Sequence, residues 1–177
     1  MGVKEVAAEL RKATTFLLVG HVNPDGDSIA CQLALAEGLE QLGKQVSIRG
    51  HDPVPRIYRR LPGASRIEQT ERIEGNFDTA VLIEIPRWHR SGFESVPAER
   101  TVGIDHHPDY DLGADVNWVD TSAAAAAEMF YDLLNELGCK LTKSIAENLM
   151  AGLMTDSGSF TYPNTTSRTL ETAAALM

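Results

Sequence analysis

The run TFLLVGHVNPDGDS, Thr15 to Ser28, holds a strand, a tight loop and a helix start. Thr15 to Val19 is β-branched and apolar, and Gly20 ends it. Pro24 and Gly26 shape the turn that follows. A helix is expected from about Ser28 to Leu42, with Ile29, Leu33, Leu39 and Leu42 on one broad face and Gly43 at its end. Three residues able to bind a cation, His21, Asp25 and Asp27, fall between strand and helix. An ordinary turn with an N-cap has the same composition, so the loop alone leaves both readings open. The free N–H groups at the helix start also suit a phosphate.

Outward from this run, strand and helix alternate. Gln45 to Arg49, Thr79 to Ile83, Thr101 to Ile104 and Val116 to Val119 read as further strands. Thr79 to Ile83 is apolar enough to be covered on both faces. Met1 to Arg11 reads as a polar-faced helix. Thr121 or Ser122 is expected to cap a helix running to Leu137, which includes the alanine run Ala123 to Ala127 and stops at Gly138. Thr142 caps another towards Met154, and Thr166 or Ser167 starts a last one. The pattern predicts an α/β domain over residues 1–177, with a mainly parallel sheet and helices on both faces. Ligands in such sheets sit at the carboxyl ends of the strands. Leu170 to Met177 is still helical in pattern where the sequence stops, which implies a longer protein.

The 177 residues are enough for one domain with its own core. With 43% hydrophobic and 23% charged residues, the balance is that of a globular chain. No apolar run is long enough to span a bilayer, and the first residues lack the features of a secretory signal. Cys31 and Cys139 suggest no disulfide framework, so a cytoplasmic location is expected. The net charge of −9 excludes wrapping of long nucleic acid, which needs a broad basic surface. Small anionic substrates are still compatible, because a site that holds divalent cations looks acidic until the metals are counted. A homodimer is compatible with the pattern.

Three more candidates follow strands or end helices. Asp105-His106-His107 closes the fourth strand, where one histidine can bind metal while the other faces substrate. Glu84 ends Thr79 to Ile83, and Asp156 ends the helix after Thr142. An acid at a helix C-terminus is unfavourable without a cationic partner. Taken singly, these are a surface histidine pair, a strand-end charge and a helix-end turn. With the first loop, His21, His106, Asp25, Asp27, Glu84 and Asp156 make two histidines and four carboxylates with no thiolate pair, which disfavours a structural zinc site and suits manganese or magnesium. Arg87 and Arg90 are candidates for phosphate contact, against the commoner solvated loop arginine. His51 and His89 read as surface residues, and Trp88 and Trp118 as packing or partner-contact residues.

His21-Val22-Asn23-Pro24-Asp25-Gly26-Asp27-Ser28 resembles the first motif of the DHH phosphoesterase superfamily. Asp105-His106-His107 resembles the motif that names it, Glu84 stands where the second-motif aspartate usually is, and Asp156 in Thr155-Asp156-Ser157-Gly158-Ser159-Phe160 resembles the fourth. Gly26 and Phe160 to Thr165 look most like the branch of oligoribonucleases that also dephosphorylate 3'-phosphoadenosine 5'-phosphate. The resemblance implies two divalent cations, manganese first and magnesium second. One would be held by His21, Asp25 and Glu84, the other by Asp27, His106, Asp156 and the shared Glu84. It implies attack of water on phosphorus, with His107 protonating or orienting the leaving oxygen. The implied substrates are short RNA, cut as by an exonuclease, or a nucleotide phosphate. A pyrophosphatase or polyphosphatase of the same superfamily is the nearest rival, and a degenerate regulatory domain the third reading. Glu84 departs from the family by one methylene. The family's smaller C-terminal substrate-binding domain, with its glycine-rich motif, has no counterpart in this sequence.

Overall fold

A computed structural model describes residues 1–177. In chain order its main elements are α1 (Val3–Lys12), β1 (Thr15–Gly20), α2 (Gly26–Gln41), β2 (Gln45–Gly50), β3 (Ile67–Gln69), β4 (Phe77–Ile83), β5 (Ala98–Asp105), β6 (Val116–Val119), α3 (Ala126–Leu137), α4 (Lys143–Asp156) and α5 (Ser167–Leu176). The six strands make one sheet in the order β3-β2-β1-β4-β5-β6, and every pairing is parallel. β3 is the one strand absent from the sequence reading. It has three residues, sits at an edge and buries none of them, so it leaves no hydrophobic pattern to read.

The chain winds from β1 outward to β3, then returns to the other side of β1 and winds outward again. The order therefore reverses between β1 and β4, and a crevice opens there at the carboxyl ends. Right-handed crossovers put the connections of the two halves on opposite faces. The α/β class and parallel sheet agree with the sequence reading, but the two faces are unequal. Residues from all five α-helices join one large core with Phe16, Leu18, Val81, Ile83, Val102 and Ile104. The opposite face, Leu17, Val19, Ala80 and Leu82, is covered by Ile73, Ile85 and Phe93, with Trp88 of a 3-10 turn (Trp88–Ser91) packed against them. Trp88 and Trp118 are thus packing residues, as expected.

One helix start differs from expectation. α3 begins at Ala126, and neither Thr121 nor Ser122 caps it. The Ser122 amide and hydroxyl both donate to Asp120, at 3.0 and 2.5 Å, so its capping capacity is spent locally. Ala123 to Ala125 precede the helix and are buried. Thr142 and Thr166 do cap α4 and α5. Arg168 ties α5 to α3 and the loop after β6, at 2.7 Å from Asp120, 2.9 Å from Asp132 and 3.4 Å from buried Glu128. No helix is long and apolar enough to cross a membrane, and both cysteines are free thiols.

Candidate metal centre

Strand register sets the first distances of the site. Gly20 pairs with Ile83, and Ile83 with Ile104. The groups that follow, His21, Glu84 and Asp105-His106-His107, therefore emerge side by side at the switch in strand order. The Glu84 amide donates to the Ile104 carbonyl at 2.9 Å, and a φ of 55° then turns the chain out of the sheet. A left-handed conformation at a non-glycine residue costs about 1–3 kcal/mol and is concentrated at functional sites.

Glu84 is 1% exposed, and neither carboxylate oxygen accepts a hydrogen bond. A buried ionised carboxylate without partners is costly unless a cation compensates it. The ligand atoms of His21, Asp25 and Glu84 lie within 4.8 Å of one another, as do those of Asp27, Glu84, His106 and Asp156. Glu84 belongs to both groups, and also to a third with His106 and His107. The histidines are oriented as cation ligands are. Nδ1 of His21 faces the Val22 carbonyl at 2.8 Å, and Nδ1 of His106 faces that of Ala123 at 3.2 Å. With Nδ1–H donated to those carbonyls, each Nε2 is turned towards carboxylates and is the nitrogen that would bind a cation. His106 Nε2 lies 3.3 Å from Glu84 and 3.2 Å from Asp156, and His21 Nε2 lies 3.5 Å from Asp25. This oxygen-rich set with two imidazoles and an unpartnered buried carboxylate fits a pair of divalent cations.

Electrostatics point the same way. Burial above all pushes the Glu84 carboxyl up to about 8, against the pull of His106. Burial, then the charges of Glu84 and Asp156, raise Asp27 far above the usual carboxylate range. Burial opposes charge on His106, but its contacts with Asp156 and Glu84 outweigh that and push the imidazole up to about 11. The metal-free site thus retains protons to limit its negative charge, and bound cations would remove that need. The unfavourable acid at the end of α4 also finds its cationic partner in His106.

Asp27 has a second task that sequence reasoning missed. Its Oδ2 accepts from the Ala126 amide at 2.5 Å and its Oδ1 from the Ala127 amide at 3.0 Å. It therefore caps α3 from a distant helix and leaves part of its oxygen capacity facing Glu84, His106 and Asp156. Asp25 likewise caps α2, accepting from the Ser28 amide at 3.0 Å. Gly152 of α4 makes room for this arrangement. A Cβ there would stand 2.5 Å from Asp27 Oδ1 and 3.2 Å from the Ala127 Cβ. Gly152→Ala is expected to weaken cation binding by tenfold or more although it changes no ligand. Its helix-propensity gain of about 1 kcal/mol is too small to offset displacement of Asp27. Manganese titration of the two chains checks this, and equal affinities would refute it.

His107 differs from His106. The buried Asp105 accepts from its amide at 2.9 Å and stands 2.7 Å from its Nδ1, which leaves Nε2 for another partner. His107 lines a pocket of 280 Å³ with His21, Asp25, Glu84, Arg87 and Arg90, and no hydrophobic residue takes part. His89, read as a surface residue, is exposed but also lines this pocket. His51 packs edge-on against Phe93 and pairs with Asp52 at 3.0 Å, outside the cluster. A larger groove of 630 Å³ between α4 and α5 is mainly apolar and contains none of the candidate ligands, so the chemistry belongs to the smaller pocket.

Comparison with known proteins places the chain among relatives. The chain is 35% identical over 175 residues to the bifunctional oligoribonuclease and PAP phosphatase NrnA of Thermus thermophilus, covering 97% of this chain and 53% of that protein. It is 32% identical over 170 residues to the protein of the same name from Bacillus subtilis, covering 92% and 52%. The chain thus spans about half the length of these relatives. The crystal structure of an exopolyphosphatase-related protein from Bacteroides fragilis superposes with a TM-score of 0.86 at 21% identity, over 98% of this chain and 55% of that one, and shares the fold. Residues 15–153 match the model of the DHH family, N-terminal domain, and the chain belongs to that family.

Proposed function

We propose that residues 1–177 are the catalytic domain of a two-metal phosphoesterase acting on short oligoribonucleotides, from their ends, and on 3'-phosphoadenosine 5'-phosphate. One observation carries this reading: the Glu84 carboxylate is buried, has only His106 Nε2 beside it at 3.3 Å, and is common to both ligand groups. His21, Asp25 and Glu84 hold one cation; Glu84, Asp27, His106 and Asp156 hold the other. Manganese suits the mixed imidazole and carboxylate donors, and magnesium is the second choice. Bound there, the cations would supply charge neutralisation for the phosphate oxygens and would lower the pKa of a water. Asp105 keeps His107 Nδ1 engaged, so His107 Nε2 is the nitrogen that delivers a proton to the leaving oxygen. The pocket, lined by histidine, carboxylate and arginine side chains with Pro86, suits a phosphate, and no Phe, Tyr, Trp or aliphatic side chain lines it to receive a base. We therefore place base contacts on a second, C-terminal domain. The free thiols suit a reducing cytoplasm.

The test is a substrate panel with metal control. Manganese should support hydrolysis of short RNA and of 3'-phosphoadenosine 5'-phosphate, and removal of all metal by chelator should abolish it. Metal affinity should fall as pH drops from about 11 through about 8, because the metal-free site holds protons on His106 and Glu84 in that range and both must give them up to bind metal. Full activity after proven metal removal would overturn the reading. Turnover of inorganic pyrophosphate alone would move the chain to the rival activity.

A further inference from the structure

We propose that Arg90 is a specificity-determining residue that holds the substrate phosphate against the metal centre. The inference rests on the two-metal reading above and extends it to how the anion is recognised. Two divalent cations would offset the four carboxylates Asp25, Asp27, Glu84 and Asp156 and leave the centre near neutral. An anionic phosphate then needs a further cation at the same pocket. Two guanidinium groups line it, and they differ. Arg87 stands 3.7 Å from Asp109, which also lines the pocket, and over half of its side chain is exposed. Arg90 is half-buried and has no carboxylate or carbonyl partner for its side chain. His21 lines the same pocket.

The backbone around Arg90 is held as a preformed site requires. Its carbonyl accepts from the Val22 amide at 2.7 Å, so the turn is fastened to the loop that carries His21. Its amide donates to the Arg87 carbonyl at 2.9 Å. Gly92 ends the turn at φ 79°, and a Cβ there would meet His51 at 2.6 Å and Val22 at 2.7 Å. Packing, rather than a salt bridge, thus fixes the base of this side chain, and the fork at its tip is left for ligand. A guanidinium fork matches two oxygens of a phosphate, which a lysine ammonium does not.

Inorganic phosphate is the probe, titrated into the manganese-loaded chain, with manganese affinity measured in parallel. Arg90→Ala should weaken phosphate binding tenfold or more and leave manganese affinity within about twofold. Arg90→Lys should recover only part of the loss, because it restores charge without the fork. Arg87→Ala should have a smaller effect than Arg90→Ala. Normal manganese binding with unchanged phosphate affinity in Arg90→Ala would overturn this proposal alone. So would an equal loss of both affinities, which would mark a structural role. Absence of manganese binding in the unsubstituted chain would overturn the functional reading, and this proposal with it.

Discussion

Glu84→Ala is expected to lower turnover of phosphate esters at least ~1000-fold, about 4 kcal/mol of transition-state stabilisation. The reason is geometric. Glu84 is the one residue common to both ligand groups, so in the proposed reading its loss would take a ligand from both cations. Metal analysis should find at most one tightly held ion in this variant. Glu84→Asp should keep two, since the acidic group remains and aspartate is the residue the resembling motif carries. Glu84→Gln separates function from stability. It replaces a carboxyl that burial pushes up to about 8, so at neutral pH the metal-free fold no longer has to take up a proton that the unfolded chain lacks. The metal-free Glu84→Gln chain should therefore be more stable than the unsubstituted one by about 1–2 kcal/mol, while the rise in Tm on adding manganese disappears. Two tight ions in Glu84→Ala would show that the bridge lies elsewhere.

The second large effect is at Asp27, where metal binding and folding share one carboxylate. Asp27→Ala should destabilise the metal-free chain by about 2–4 kcal/mol. It removes the cap of α3 and leaves the Ala126 and Ala127 amides buried without acceptors. Asp27→Asn keeps one oxygen for one amide and should cost about half as much. Both variants should also lose the cation held with His106 and Asp156. Urea unfolding gives the stabilities, and amide exchange at Ala126 and Ala127 gives the local effect. Protection at those two amides should fall first in Asp27→Ala. Unchanged exchange there would mean that the helix start does not depend on Asp27. Binding of the second metal should conversely stiffen the start of α3, because both act on the same oxygens.

Much of this protein was legible in its sequence, for local reasons. Thr15 to Val19 and Thr79 to Ile83 are β-branched and apolar runs bounded by a glycine or charged residues, and they form the inner parts of β1 and β4. Thr142 and Thr166 cap their helices by contact with amides three residues on, so tertiary structure has no part in them. The candidate ligands were legible because each follows a strand or ends a helix, and parallel sheets gather those ends. Arg87 and Arg90 were legible only as cations in a loop. Which of them carries an ion-pair partner is a property of the folded chain.

What the tertiary structure decided are the pairings between residues far apart in sequence. Thr121 and Ser122 carry the local signal for the start of α3, yet Asp27, about a hundred residues earlier, sets it at Ala126. A capping carboxylate need only reach the amides in space, and sequence neighbours report nothing of that reach. Gly152 reads as an ordinary helical glycine until Asp27 is found against it. The left-handed turn at Glu84 has no local signal either, because glutamate does not favour it. The surrounding strands impose it, through the bond from its amide to Ile104. The sequence by itself determined the elements and the donor inventory, which depend on contacts within a few residues. The fold decided which donors share an ion, which carboxylate also holds a helix, and which arginine is left free, because each depends on distances that exist only once the sheet has closed its switch point.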